Sequence, residues 1–437
     1  MTFSSHDLQR YTISDGQRVV EFNYSRPQSI TRQEDYEKLD RKSETIKILR
    51  EHSIPVPRGV VLDPGKVSAA ELREHADHLG YPIVLKPDTG SFGQGVSTGL
   101  RNWNDLKSGY DRLIRELSPQ RIILEQHYVG DDYRLLVVGD RVVGAVRRVP
   151  AHVIGDGVST IRGLIDAKNT LRKKNPFLAS CLIKDNYEVQ KCLTDQDLKV
   201  EDIPGEGIHV TLRRVANASA GGDVVDVTDI LPEKILEAAV QAVRALPRVV
   251  VAGVDVLYKA DAETGENTFA IIEVNSRPHI GVNMYPSVGE GRDVPHVLID
   301  TLFPGTYRPT IPDVRTLRFN SGAVGGAIRS GATTKVTLPK IPAHGYPYRR
   351  RLQYNAQTTR SAADRLPQVA LQQLAHSRGV AGSVRRTESG EIELSVAAPD
   401  KASADVIARK VAEWSGADPV SEVPWRGPVS TTFMVFQ

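Results

Sequence analysis

The chain has 437 residues, of which 40% are hydrophobic and 25% charged. At roughly 150 residues per domain, that length calls for more than one domain, each able to bury a core. The formal charge is only +3, from 56 Lys and Arg against 53 Asp and Glu, so nothing in the balance points to nucleic acid.

The first ten residues are polar and do not read as a secretory leader. No stretch approaches the ~18 apolar residues of a membrane helix. Cys181 and Cys192 make neither a metal-ligand spacing nor a disulfide framework. The expected compartment is the cytoplasm, with both thiols reduced.

Residues 1–39 form a polar segment with one strand candidate at 18–24. Residues 42–52 read as a helix, stopped by Pro55 and Pro57. A second helix pattern covers 68–79. The apolar run 81–87 reads as a short buried strand and leads into a glycine loop at 90–95. Residues 105–117 read as helix, and 122–126, 133–138 and 141–149 as strands. Residues 155–222 are polar, with a basic section at Arg172, Lys173 and Lys174. A helix at 232–245 precedes strands at 249–257 and 269–274, joined by a turn at 261–267. A domain boundary is expected at 304–312, then a small-residue flexible stretch at 322–331. Beyond it, strand 335–338, helix 362–377, strands 380–386 and 392–397, helix 402–414 and strand 431–436 follow in the βαββαβ order of ferredoxin-like domains.

Four constellations carry chemistry. Lys86 ends a strand before Gly90-Ser91-Phe92-Gly93-Gln94-Gly95. Glycines let backbone N–H groups approach phosphates, and the lysine adds a point charge. Asp255, Glu273 and Asn275 sit on two strands joined by a turn. Glu273 and Asn275 are two apart, so they share a face. Three such oxygen ligands suit Mg²⁺ held with nucleotide phosphates. Glu125-Gln126-His127-Tyr128-Val129-Gly130-Asp131-Asp132 connects two strands and offers polar groups to an adenine edge and a ribose. Arg134, Arg147, Arg148 and Arg213 form a basic group, read either as a solvated face or as carboxylate and phosphate ligands. The segment 212–222 gathers Arg213, Asn217, Ser219 and a glycine pair, a combination suited to cradling a phosphoryl group and a carboxylate.

The order of these motifs resembles the ATP-grasp module of cyanophycin synthetases and of bifunctional glutathione synthetases. The resemblance runs over about 40–304. It rests on Lys42-Ser43-Glu44-Thr45, Ile54-Pro55-Val56-Pro57, Val84-Leu85-Lys86-Pro87 and Gly155-Asp156-Gly157-Val158-Ser159-Thr160-Ile161. It continues through Leu212-Arg213, Asn217-Ala218-Ser219-Ala220-Gly221-Gly222, Gly253-Val254-Asp255 and Ile272-Glu273-Val274-Asn275 with Pro278.

The resemblance implies an α+β ATP-grasp domain of two subdomains gripping ATP at 40–310; the element order beyond it adds a small C-terminal α+β domain, ferredoxin-like, at 320–437. Within the ATP-grasp domain it implies a nucleotide-binding subdomain at about 80–150, a lid at about 151–222 and a metal-binding core at 223–304. It implies ATP and two Mg²⁺ ions, with Mn²⁺ as the alternative metal. Lys42 and Lys86 would hold phosphates under a loop containing Gly93, Gln94 and Gly95. Glu125, Gln126, Tyr128 and Val129 would meet adenine, and Asp132 the ribose. Asp255, Glu273 and Asn275 would hold the metal. Arg213, Asn217, Ser219 and Arg148 would serve the chemistry, Arg213 at the oxyanion. Arg134, Arg277 and His279 would face substrate. After Asn275 the chain reads Ser276-Arg277-Pro278-His279, which departs from the small-residue stretch of those families and leaves the substrate pair open.

The implied activity is ADP-forming ligation of a carboxylate to an amine through an acyl phosphate, on amino-acid or peptide substrates. The competing reading is an ATP-grasp nucleotide-binding protein with a non-ligase or regulatory role. Partners are expected to be small molecules or peptides, with no nucleic acid and no membrane. The C-terminal domain serves either acceptor recognition or homodimerisation.

Overall fold

The computed structural model describes residues 2–5, 9–28, 33–90, 93–260, 267–305, 317–318, 321–337, 342, 345–355, 368–387, 389–427, 429–430 and 433–436. The chain divides into two compact units. One is Val20–Pro304; the other joins Met1–Val19 to Gly305–Gln437.

In the first unit, a four-stranded antiparallel sheet runs in the order Gly59–Leu62, Ile122–Gln126, Ile83–Pro87, Ser97–Leu100. Every residue of Ile83–Pro87 is buried, as the apolar run bounded by prolines predicts. Helices Ala69–Leu79 and Trp103–Leu117 bury Leu72, Ala76, Leu106 and Leu113 against it. Both helices start where side chains satisfy their free N–H groups. Ser68 and Glu71 form a reciprocal capping box, and Asn102 accepts from the amides of Asn104 and Asp105.

A second sheet has five strands in the order Asp223–Asp226, Arg141–Val149, Asp131–Val138, Val251–Ala260, Asn267–Asn275, with antiparallel neighbours throughout. Helix Glu233–Ala245 presents Ile235, Ala238, Ala239, Ala242 and Val243 to one face, the three-and-four spacing of an amphipathic helix. Tyr133, Leu135, Val137, Val254, Val256 and Ile271 meet them there. Because side chains alternate along a strand, this apolar face leaves the other face for the charged residues described below.

Residues 151–222, expected as a lid, contain a small subdomain. Strands His152–Ile154 and His209–Thr211 pair, and helices Ile161–Arg172 and Tyr187–Thr194 close over Val153, Ile165, Ile183, Val189 and Val210. The turn expected at 261–267 lies almost wholly outside the described residues, as do Ser91 and Phe92 of the glycine loop.

The first 39 residues and the C-terminal part correct several expectations. The first 39 residues hold more than one strand: Thr2–Ser5 and Arg10–Ser14 pair with each other, and Val19–Asn23, Arg26–Pro27 and helix Gln33–Leu39 follow. Lys335–Thr337 pairs with Thr2–Ser5 rather than opening the C-terminal sheet. That sheet starts instead at Tyr348–Tyr354, whose arginine run hid its alternation. Its order is Pro419–Pro424, Tyr348–Tyr354, Ile392–Ala398, Ala381–Arg386, Phe433–Val435, with the last pair parallel and the others antiparallel. Helices Gln368–Ser377 and Lys401–Ser415 bury Leu371, Ala375, Ile407 and Val411 beside it. The stretch read as flexible, 322–331, is mostly the helix Ser321–Arg329. Its glycines disfavour a helix, but Val324, Ala327 and Ile328 still line one stripe, and Ile328 is buried.

Candidate active site

The polar face of the five-stranded sheet carries a row of charges set by register. Asp132 lies opposite Arg148, Arg134 opposite Asp255, and Asp255 opposite Glu273. A bulge after Asp255 skips Ile272, so Ile271 and Val274 both reach the core while Glu273 and Asn275 stay on the polar face. Arg134 grips Asp255 with two bonds, Nε to Oδ1 at 2.7 Å and Nη2 to Oδ2 at 2.8 Å. Arg148 Nη2 donates to Asp255 Oδ2 at 3.2 Å, and its Nε to Asp132 Oδ1 at 2.9 Å. Asn275 Nδ2 approaches Asp255 Oδ2 at 3.4 Å. Gly253 makes room for this row: a Cβ there would stand 3.2 Å from Pro278 and 3.7 Å from Arg134 Cδ.

The two carboxylates sharing Arg148 are driven apart. Burial would raise Asp255, but Arg134 and Arg148 outweigh it and hold the carboxyl below its usual range. Burial pushes Asp132 up to about 6, the Asp255 charge adding to it and Arg148 opposing it. Arg148, though half-buried, is held in its charged form by Asp255 and Asp132.

The two lysines lie on other elements. Lys86 is buried, and its Nζ sits 2.6 Å from Glu125 Oε1 on the neighbouring strand. Lys42 is the first residue of helix Lys42–Glu51. Its Nζ donates to Gly90 O at 2.8 Å and lies 3.5 Å from Glu273 Oε1. It therefore ties the start of the glycine loop to the strand of Glu273 and Asn275. Gly93 and Gly95 both take positive φ, which suits glycine. A Cβ on Gly95 would also strike Leu113 and Leu117 within 2.7 Å. Gln94 is exposed beside them.

Gln126 ends strand Ile122–Gln126, and Tyr128 and Val129 lie on the connector to Asp131–Val138. Gln126 is pinned through its amide to Arg58 O at 2.8 Å, while Val129 is 62% exposed and so free for a ligand. Gly130 has no room for a side chain, its Cβ position being 2.7 Å from the Tyr258 backbone. Arg277 and His279 are exposed on the turn after Asn275. Partial burial and the Arg134 charge lower His279.

Arg213, Asn217 and Ser219 are not brought into the row. Arg213 pairs with Glu188 in the first turn of helix Tyr187–Thr194 and donates at 3.2 Å to Oδ1 of Asn186, the residue that caps it. Asn217 turns the backbone, its carbonyl accepting from the amides of Ala220 and Gly222, and Ser219 is exposed. Sequence reasoning missed the residue that shapes this turn. Arg172 is buried and donates to the carbonyls of Cys181, Gly222 and Ala218 at 2.9, 3.1 and 3.2 Å, and to Asp223 at 3.3 Å. Its signal was the spacing from Ile161 and Ile165, which puts it on the buried side of its helix.

Among the described residues, no three His, Cys, Asp or Glu side chains gather as a metal cluster. The oxygen set of Asp255, Glu273 and Asn275 nonetheless fits a hard dication. The two carboxylates oppose each other in register, and Asn275 shares their face.

Residues 39–156 match the RimK-like ATP-grasp domain. The chain carries an ATP-grasp domain. The matched stretch includes Lys42, Lys86, Glu125, Asp132, Arg134 and Arg148. The cyanophycin synthetase of Crocosphaera subtropica is 33% identical over 310 residues, covering 70% of this chain and 33% of that protein. The bifunctional glutathione biosynthesis protein of Clostridium perfringens is 33% identical over 300 residues, covering 67% of this chain and 37% of that protein. The chain thus spans about a third of the length of the curated relatives it matches. The crystal structure of a bifunctional glutathione synthetase from Pasteurella multocida aligns with a TM-score of 0.52 at 26% identity, over 68% of this chain and 41% of that one. The ATP-grasp fold therefore extends beyond the matched stretch. Among the described residues, no helix is long and apolar enough to cross a membrane.

Proposed function

We propose that this chain is an ATP-dependent carboxylate–amine ligase. It would phosphorylate a donor carboxylate with ATP and let an amine displace the phosphate, giving an amide, ADP and phosphate. The observation that carries this reading is the row Asp132, Arg148, Asp255, Arg134 with Glu273 and Asn275, aligned by register on one sheet face.

Lys42 and Lys86 would take the phosphates, and Gly93, Gln94 and Gly95 would cover them. Glu125, Gln126, Tyr128 and Val129 would line the adenine. Arg148 occupies Oδ1 of Asp132, so Oδ2 serves the ribose. Asp255, Glu273 and Asn275 would hold Mg²⁺, or Mn²⁺ in its place, which when bound neutralises phosphate charge. Arg134 and Arg148 keep the Asp255 carboxylate ionised and in place. Arg213, with Asn217 and Ser219, would reach the reacting carboxyl from the subdomain of residues 151–222, and Arg213 would stabilise the oxyanion. Arg277 and His279 would meet a carboxylate-bearing substrate.

The C-terminal sheet is proposed to be ferredoxin-like, because the strands joined by helix Gln368–Ser377 are separated by Ile392–Ala398. It would recognise the acceptor or pair two copies. Loss of the oligomer alone after removing residues 320–437 supports pairing. The chain's proposed place is the cytoplasm. The activity test is incubation with ATP, Mg²⁺ and an amino-acid panel. ADP and phosphate are expected; AMP and pyrophosphate would overturn the acyl-phosphate scheme.

A further inference from the structure

Helix Lys42–Glu51 begins without help from its own flanking residue: Arg41 makes no side-chain cap. The first N–H groups of a helix need acceptors from elsewhere. Asp88 supplies them from 45 residues away. Its Oδ1 accepts from Ser43 N at 2.7 Å, and its carbonyl from Lys42 N at 3.0 Å. Asp88 is only 3% exposed, and its own amide donates to Arg121 O at 3.1 Å. A carboxylate there also meets the positive end of the helix dipole.

Asp88 stands two residues after Lys86 and two before Gly90. Lys42, whose amide it holds, returns a bond from Nζ to Gly90 O at 2.8 Å. The base of the glycine loop, the strand of Lys86 and the helix start bearing Lys42 are thereby stapled at one residue. A buried carboxylate so near a candidate phosphate site would repel an anion unless its charge were already committed. The Ser43 amide and the positive end of the helix dipole commit it.

We propose that Asp88 is a positioning residue that sets Lys42 and the glycine loop for the polyphosphate of a nucleotide, by capping the Lys42 helix from another part of the chain. The proposal rests on the reading above that Lys42 and Lys86 meet phosphates. It is a property of the phosphate end of the site, so removing it should weaken ATP and spare adenosine.

The test measures ATP and adenosine binding by the full chain in wild type, D88N and D88S, with amide hydrogen exchange at residues 42–45. Asn keeps an acceptor oxygen at the same reach; Ser withdraws it. D88S is expected to weaken ATP about tenfold while leaving adenosine within about twofold, and D88N to stay within about threefold for both. Exchange at Ser43 should speed up in D88S only. An unchanged ratio of ATP to adenosine affinity in D88S overturns the proposal. If D88S does not fold, D88N decides, and a tenfold loss of ATP there overturns it. Wild-type protein that binds no ATP instead overturns the nucleotide reading, while the exchange at Ser43 still reports on the cap.

Discussion

Arg134 and Asp255 face each other across paired strands and join through two parallel hydrogen bonds of 2.7 and 2.8 Å. The Asp255 side chain is 4% exposed and that of Arg134 is 18% exposed. A pair this sheltered costs much to desolvate, so its removal is felt mainly as an unpaired charge left behind. Asp255→Ala leaves both Arg134 and Arg148 without their shared acceptor. It should lower stability by about 3 kcal/mol, read as a shifted urea midpoint. Phosphate release should be lost as well. A variant with wild-type turnover removes Asp255 from the metal set.

Lys86 and Glu125 offer the complementary case. The two side chains are 7% and 5% exposed and 2.6 Å apart. Lys86→Met or Glu125→Leu alone should each cost about 3 kcal/mol, because each strands a buried charge. The double variant should recover most of that stability, since two apolar side chains need no partner. It should still bind ATP only weakly, because the lysine charge proposed to meet the phosphates is gone. A double variant as unstable as the sum of the singles refutes the charge argument.

These pairs explain what the sequence disclosed and what it concealed. Glu273 and Asn275 were legible because a strand's two-residue period fixes them on one face. Lys86 was legible because prolines and apolar neighbours bound its strand. The Asp132–Arg148 partnership was not, since a register shift between Val142 and Gly144 resets that hairpin, and Arg134–Asp255 was not, since its strands lie far apart in sequence. Asp88 was invisible for the same reason: its capping partner lies 45 residues away. The strand Tyr348–Tyr354 was missed because Arg349, Arg350 and Arg351 mask its alternation. Two of the three are drawn to acids on neighbouring strands, Arg350 to Glu422 and Arg351 to Glu393.

Arg213 allows a sharp separation of roles. Its partner Glu188 is 65% exposed, so the ion pair contributes under about 1 kcal/mol to stability. Glu188→Ala should leave the urea midpoint within about 0.5 kcal/mol and spare turnover. Arg213→Ala should lower kcat about 100-fold if its guanidinium serves the oxyanion. Equal and small effects from both substitutions would confine Arg213 to holding helix Tyr187–Thr194.

Arg172 should matter for shape rather than chemistry. Its guanidinium serves three carbonyls and Asp223 from a buried position. Arg172→Ala leaves those acceptors unsatisfied and should cost about 3 kcal/mol, loosening residues 217–223. Lysine cannot replace a planar fork reaching several acceptors at once, so Arg172→Lys should recover little. Hydrogen exchange at the Gly221 and Gly222 amides reads the effect. Full protection in Arg172→Ala would show that the turn at 217–222 holds itself.

The two carboxylates that share Arg148 predict opposite pH behaviour in adjacent windows. Burial holds Asp132 at about 6 in the folded chain, against about 4 when unfolded. Between those values the folded protein keeps a proton that the unfolded chain has lost. This group alone therefore makes the fold less stable as pH rises from about 4 to about 6. Asp255 is shifted the other way, so its stabilisation is present above about 4 and is lost as pH falls below it. For turnover, the ionised Asp132 is the form that holds Arg148 at full strength. The pH profile of kcat/KM for ATP should rise on its acid side through about 6. Asp132→Asn removes the titrating group while keeping an acceptor oxygen for Arg148, so that limb should disappear and the stability slope between about 4 and 6 should flatten. An acid limb that persists unchanged in Asp132→Asn assigns it to another group and separates Asp132 from the ion row.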